Sequence, residues 1–177
     1  MSNFDFSFWL IPEEKERKKW QKVIDDLAKK YQVFSFIPHV TIYWLGTVNV
    51  SVETVVKKTE EISSFLKPIS LKPLRIDYSE IFTKTLFIQF EKTKELIEVY
   101  EKFKEKFSVY NIYDFNPHLS LIYKNNMLVS EKEKVRKEIE LPNVIKFNQL
   151  MVILNKKGTI KEEKDVLNWK IVYSKKF

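Results

Sequence analysis

The sequence predicts an α+β fold assembled from two related halves, and three observations lead there. The order strand, helix, strand occurs twice along the 177 residues. Residues 36–44 and 115–123 align as a repeated motif centred on the two histidines of the chain, His39 and His118. A hydrophobic content of 44%, with aromatics at 15%, supplies a real core and excludes wholesale disorder. The length suits one domain over residues 1–177, made of two small lobes sharing that core.

Each element has a local reason. Residues 4–11 are rich in aromatics and β-formers and read as a strand. Pro12 then fits a first helical turn, where its missing N–H costs nothing. Trp20, Val23, Ile24, Leu27, Ala28 and Tyr31 recur at helical spacing, so residues 13–31 form an amphipathic helix. Residues 39–46 read as a strand. Ser51 caps a second helix with Val52, Val55, Val56, Ile62 and Leu66 on its apolar face. Residues 69–78 alternate apolar and polar, and Pro73 marks an edge strand or a bulge there. A strand follows over 85–90. Thr93 caps a third helix bearing Leu96, Tyr100, Phe103 and Phe107. Residues 118–123 form a strand, and Ser130 with Glu133 makes a capping box for a short helix. Strands over 144–154 and 167–174 close the chain, joined by a polar connection around Gly158.

Composition removes much of the usual catalytic equipment. The absence of cysteine excludes disulfides, thiol nucleophiles, Cys-ligated zinc and iron–sulfur clusters. Two isolated glycines, Gly46 and Gly158, exclude a Walker A loop and a dinucleotide fingerprint. The net charge of +7 suits an anionic partner such as RNA or a nucleotide. Yet arginine occurs only at Arg17, Arg75 and Arg136, and the lysines alternate with glutamates along helices, the pattern of solvated faces. No export signal and no run of about 20 apolar residues is present, so a cytoplasmic protein without a membrane partner is expected.

The repeat carries the chemistry. Phe36-Ile37-Pro38-His39-Val40-Thr41-Ile42-Tyr43-Trp44 falls on Phe115-Asn116-Pro117-His118-Leu119-Ser120-Leu121-Ile122-Tyr123. Side chains at i and i+2 share a strand face, so His39 projects with Thr41 and His118 with Ser120. Two imidazole–hydroxyl pairs facing one another suit phosphodiester chemistry. A neutral imidazole activates water, a protonated one supplies the departing oxygen, and the hydroxyls bind non-bridging oxygens. With only Asp114 and Glu80 as stray carboxylates, the histidines fall short of a zinc set, so neither metal nor cofactor is expected.

These paired His-x-Thr and His-x-Ser motifs resemble those of the 2H phosphoesterase superfamily, which includes the 2′–5′ RNA ligase-like enzymes. Phe8-Trp9-Leu10-Ile11-Pro12 and Pro117-His118-Leu119-Ser120-Leu121-Ile122-Tyr123 look most like its cyclic phosphodiesterase branch. The resemblance covers most of the chain. It implies a bilobal, pseudo-two-fold duplicated fold, with mostly antiparallel sheets lining a central cleft and helices outside. It makes His39 and His118 the acid–base pair and Thr41 and Ser120 the phosphate ligands, and it gives Tyr123 a substrate-facing role. Lys124 departs from the pattern, in which a glycine often follows that tyrosine.

The implied reaction is metal-independent hydrolysis of 2′,3′-cyclic or related cyclic phosphates of nucleotides or ADP-ribose. The alternatives are cleavage of 2′–5′ linkages or cyclic oligonucleotide signals, RNA ligation, and an RNA end-binding module without turnover. A monomer with no obligatory protein partner is expected. Among the aromatics, Tyr43, Trp44, Phe82 and Tyr123 are candidates to stack on a base or border the cleft. By strand parity Tyr43 shares the face of His39, and Trp44 lies with Val40 and Ile42 on the buried face. Tyr123 should face away from His118, so a role at the site requires its strand to bend.

Overall fold

The computed structural model describes residues 4–110, 113–155 and 160–177. The connection around Gly158 lies outside the described residues. The elements run β1 (Phe4–Pro12), α1 (Glu14–Tyr31), β2 (Val40–Val48), α2 (Val52–Ser63), β3 (Ile69–Leu71), β4 (Pro73–Tyr78), β5 (Leu86–Phe90), α3 (Lys94–Phe107), β6 (His118–Ile122), α4 (Val129–Glu138), β7 (Ile145–Asn155) and β8 (Trp169–Lys176). Two 3-10 segments intervene, Phe82–Lys84 before β5 and Glu163–Asn168 before β8.

Most local expectations hold. Phe6, Phe8 and Leu10 alternate into the core from β1, and Trp20, Ile24, Leu27 and Ala28 form the buried face of α1. Ser51 and Thr93 cap α2 and α3 by accepting the N–H groups of Thr54 and Leu96. Leu66 falls beyond the end of α2, residues 167–168 belong to the 3-10 segment before β8, and three larger details differ. Pro12 ends β1 instead of opening the helix, and the following Glu13 N–H donates to the Lys146 carbonyl at 2.8 Å. The fourth helix is capped at Leu128, whose N–H is taken by the Glu131 carboxylate at 3.0 Å, so Ser130 and Glu133 lie inside α4. Residues 69–78 are two strands, because Pro73 has no N–H to continue the β3 ladder and instead begins β4.

Every strand pairing among the described residues is antiparallel, in the order β3-β7-β1-β2-β6-β5-β4, with β8 also on β7. Strands β3 and β4 stand at opposite ends of that order, yet Lys72 alone separates them in sequence. The sheet therefore curls until its ends approach.

The repeat is visible in the topology. β1–α1–β2 and β5–α3–β6 are the same unit, and they join at the single bridge Val40↔Leu119, the residues following the two histidines. The helices then cross over. α1 packs on β6 as well as β1, and α3 packs on β2. Phe8 of the first unit lies 4.9 Å from Phe103 and 4.8 Å from Phe107 of α3, centroid to centroid. One core thus contains Leu10, Val40 and Ile42 together with Ile88, Leu119 and Leu121. Each half completes the other, which fixes the cleft between them. No helix among the described residues is long and apolar enough to cross a membrane.

Candidate active site

His39 immediately precedes β2 and His118 opens β6, so the bridge Val40↔Leu119 sets the two imidazoles in equivalent places. Both line a cleft of about 250 Å³, together with Thr41 and Ser120. Each imidazole is oriented in the same way. His39 Nδ1 lies 2.6 Å from the Ile37 carbonyl, and His118 Nδ1 lies 2.7 Å from the Asn116 carbonyl, two residues back in both cases. A carbonyl only accepts, so each Nδ1 carries the proton and each Nε2 keeps its lone pair for the cleft.

Matching β-bulges decide what else reaches the cleft. Against β1, Trp9 pairs with Thr41 and Phe8 with Tyr43, which leaves Ile42 as the extra residue. Against β5, Phe87 pairs with Ser120 and Leu86 with Ile122, which leaves Leu121 extra. Each bulge shifts the alternation of its strand by one residue. Ile42 and Tyr43 both enter the core, and Trp44 turns to the cleft; Leu121 and Ile122 do likewise, and Tyr123 turns to the cleft. The bend that Tyr123 needs is therefore present.

Two expectations are corrected. Tyr43 is wholly buried, 5.9 Å from both Tyr100 and Tyr113, and takes no part in the cleft; the bulge puts Trp44 there instead. Phe82 also stays outside the cleft lining. It packs against Tyr123, with ring centroids 5.7 Å apart. Asp114 is exposed, and Glu80 is engaged by the buried Lys132 ammonium at 2.8 Å. Among the described residues no group of three or more His, Cys, Asp or Glu side chains is placed to hold a metal ion.

Several lining residues escaped the sequence reading. Asp5, Ser7 and Trp9 occupy the face of β1 opposite Phe6 and Phe8, and that alternation was legible. Thr83, Tyr113, Asn155 and Trp169 come from distant segments, and no local pattern marks them.

The equivalent histidines have unlike neighbours. The Trp9 ring stacks on His39 with centroids 3.5 Å apart and planes 9° apart, while Trp169 and Phe36 approach edge-on at 6.0 and 6.2 Å. His118 meets only the edge of Phe87 among these ring contacts, at 5.5 Å, and Lys84 sits 4.7 Å over that same phenyl ring. Burial lowers the His39 pKa to about 3. Burial and then the Lys84 charge lower His118 to about 4, with the Asn116 carbonyl opposing both. Both imidazoles are therefore neutral near pH 7. The Ser120 hydroxyl donates to the Thr83 carbonyl at 2.7 Å. Burial pushes the Tyr123 phenol upward, opposed by a hydrogen bond with Ser120.

Over residues 4–177 this chain matches the cyclic phosphodiesterase-like protein family. It belongs to that family. The paired motifs of the 2H phosphoesterases and the observed fold agree with this membership. A cyclic phosphodiesterase of Arabidopsis thaliana is 25% identical over 118 residues, which span 67% of this chain and 64% of the relative. Crystal structures of Escherichia coli LigT, in apo form and complexed with 3′-AMP, share the fold with TM-scores of 0.55 and 0.56. Both are 10% identical, and each superposition covers 99% of this chain and 98% of that one. A further phosphoesterase structure matches with a TM-score of 0.51 at 12% identity, over 87% of this chain and 88% of that one.

Proposed function

We propose that this protein hydrolyses 2′,3′-cyclic phosphates, or related cyclic phosphates of nucleotides or ADP-ribose, by acid–base catalysis between His39 and His118. The carrying observation is the pair of imidazoles lining one cleft, each with Nδ1–H on its own backbone carbonyl and Nε2 available. A cleft of about 250 Å³ accommodates a cyclic phosphate with its sugar, and longer substrates would have to extend beyond it. LigT, which shares the fold, has been crystallised with 3′-AMP, a phosphomonoester of the class such a reaction releases.

His118 is the base. The Lys84 cation favours its neutral form, so its Nε2 accepts the proton of a water attacking phosphorus. His39 is the acid. Burial opposes its charged form, so the bound phosphate anion must offset that cost; the Trp9 π face then adds to the imidazolium, and its Nε2–H supplies the ribose oxygen as the P–O bond breaks. One water is consumed, and the ring opens to a phosphomonoester with a free hydroxyl. His118 leaves the cycle protonated and His39 neutral, and exchange with solvent resets them. Thr41 and Ser120 hydrogen-bond the non-bridging oxygens as charge grows on them.

The first imidazole proton must arrive with the substrate, because both groups are neutral beforehand and an anionic phosphate favours the charged form. Binding of 2′,3′-cyclic nucleotides, followed by calorimetry in buffers of different ionisation enthalpy, should show proton uptake near pH 7. Turnover in excess EDTA, with release of a 2′- or 3′-phosphomonoester, is the decisive assay. Binding of RNA ends with no turnover of any cyclic phosphate would instead establish the end-binding module.

A further inference from the structure

We infer that Trp44, oriented by the Asp5 carboxylate, is the surface on which the nucleobase of the substrate stacks. The inference rests on the reading of the cleft as a site for nucleoside cyclic phosphates. Three observations carry it.

The first is the repeat. Trp44 and Tyr123 stand five residues beyond the two histidines, and equivalent bulges turn both toward the cleft. Their rings are used differently. Tyr123 is 5% exposed and lies flat against Phe36, at 4.1 Å and 10°, with Trp169 edge-on at 6.2 Å. Its hydroxyl is engaged with Ser120. Trp44 is half-buried and keeps part of its indole at the cleft wall.

The second is orientation. The Trp44 Nε1–H donates to both oxygens of Asp5, at 3.0 and 3.2 Å, and Asp5 is buried. That contact fixes the rotation of the indole before anything binds, so little side-chain freedom is lost on stacking.

The third is spacing. Along β1 the partner of Trp44 is Ser7 and the partner of Thr41 is Trp9. The platform thus lies two strand residues, about 7 Å, from the proposed phosphate ligand Thr41. A ribose fills a gap of that width, with phosphate at one end and base at the other. Stacking uses the π face that every base has, so all four bases should be accepted.

The test compares hydrolysis of a nucleoside 2′,3′-cyclic phosphate with that of methyl riboside 2,3-cyclic phosphate, which has no base. Trp44→Ala should raise KM for the nucleoside by roughly tenfold to a hundredfold, leave kcat within about threefold, and leave the base-free substrate unaffected. Trp44→Phe should recover most of the loss. Asp5→Ala should raise the same KM by a smaller factor, and Asp5→Asn, which keeps an acceptor, should restore it. Trp44→Leu serves if the alanine variant does not fold, because it keeps bulk without a π face. Equal losses on both substrates, or no loss on either, would overturn the platform. Calorimetric binding of 3′-AMP against inorganic phosphate separates this inference from the catalytic one. If the parent protein turns over no cyclic phosphate, a Trp44-dependent preference for 3′-AMP still supports the platform, and its absence refutes it.

Discussion

The imidazole of His39 lies face to face with Trp9 at 3.5 Å, whereas His118 meets the edge of Phe87 at 5.5 Å with Lys84 above that ring. The backbone around them is nearly the same. Both histidines bond the carbonyl two residues back, both precede the bridge between the halves, and both strands bulge three residues on. Duplication therefore supplies the matched geometry, and substitutions around it supply the difference in surroundings. The hydroxyls repeat the lesson. Ser120 is engaged by the Thr83 carbonyl and must release it to donate to a phosphate, because a hydroxyl has one proton. Thr41 stands half-exposed at the cleft wall on the other side.

The comparison can be broken most directly at the histidines. His39→Ala and His118→Ala should each lower kcat on a 2′,3′-cyclic nucleotide by roughly 10²–10⁴-fold, with the double variant little worse than either. Near-parental turnover in one of them would end the shared acid–base assignment. The hydroxyls should follow. Thr41→Ala is expected to lower kcat by about a hundredfold, and Ser120→Ala by less, because part of its hydrogen-bonding capacity is spent on Thr83. Equal losses would show that Ser120 gives up Thr83 without cost.

Smaller effects sharpen the electrostatic difference. With two histidines in the chain, NMR resolves both titrations, and neither should occur near the unperturbed value of about 6.5. Midpoints are expected at about 3 for His39 and about 4 for His118. Lys84→Met should raise His118 and leave His39 in place, since the Lys84 charge acts on His118. Because burial holds both imidazoles neutral at pH 7, kcat/KM of the parent should climb as pH falls from neutrality toward about pH 5, since the form with His39 charged and His118 neutral grows in proportion to singly protonated protein. Stability should show the opposite trend. Above the unfolded value near 6.5 the groups are neutral in both states. As pH falls through 6.5 toward 4 and then 3, the unfolded chain takes up protons that the folded chain refuses, so stability declines. His39→Gln should flatten that acid decline in thermal melts; an unchanged slope would show that His39 titrates normally.

Much of the site was legible because it rests on local repetition. Pro38-His39-Val40-Thr41 and Pro117-His118-Leu119-Ser120 announce themselves, and strand alternation places histidine and hydroxyl on one face. Alternation then failed at Tyr43 and Trp44 for a specific reason. Ile42 and Leu121 are as apolar as their neighbours, so nothing in composition marks them as the unpaired residues of bulges. A bulge is set by how a strand fits the twist of its partner, and β1 and β5 are the partners that matter here. The split of residues 69–78 was half legible: Pro73 signalled an interruption, but not that β3 and β4 would join opposite ends of the sheet.

By itself, then, the sequence determined two strand–helix–strand units, the histidines and hydroxyls they carry and the parity that pairs each imidazole with a hydroxyl. These follow from side-chain identity and from periodicities that operate within a few residues. Tertiary structure decided which aromatics reach the cleft, why Trp9 and Trp169 enclose one histidine, and how Lys84 comes to act on the other. Trp169 arrives through the pairing of β8 with β7 and of β7 with β1, a route of hydrogen bonds between segments far apart in the chain. Such contacts depend on how whole sheets twist and close, which no short window of residues encodes.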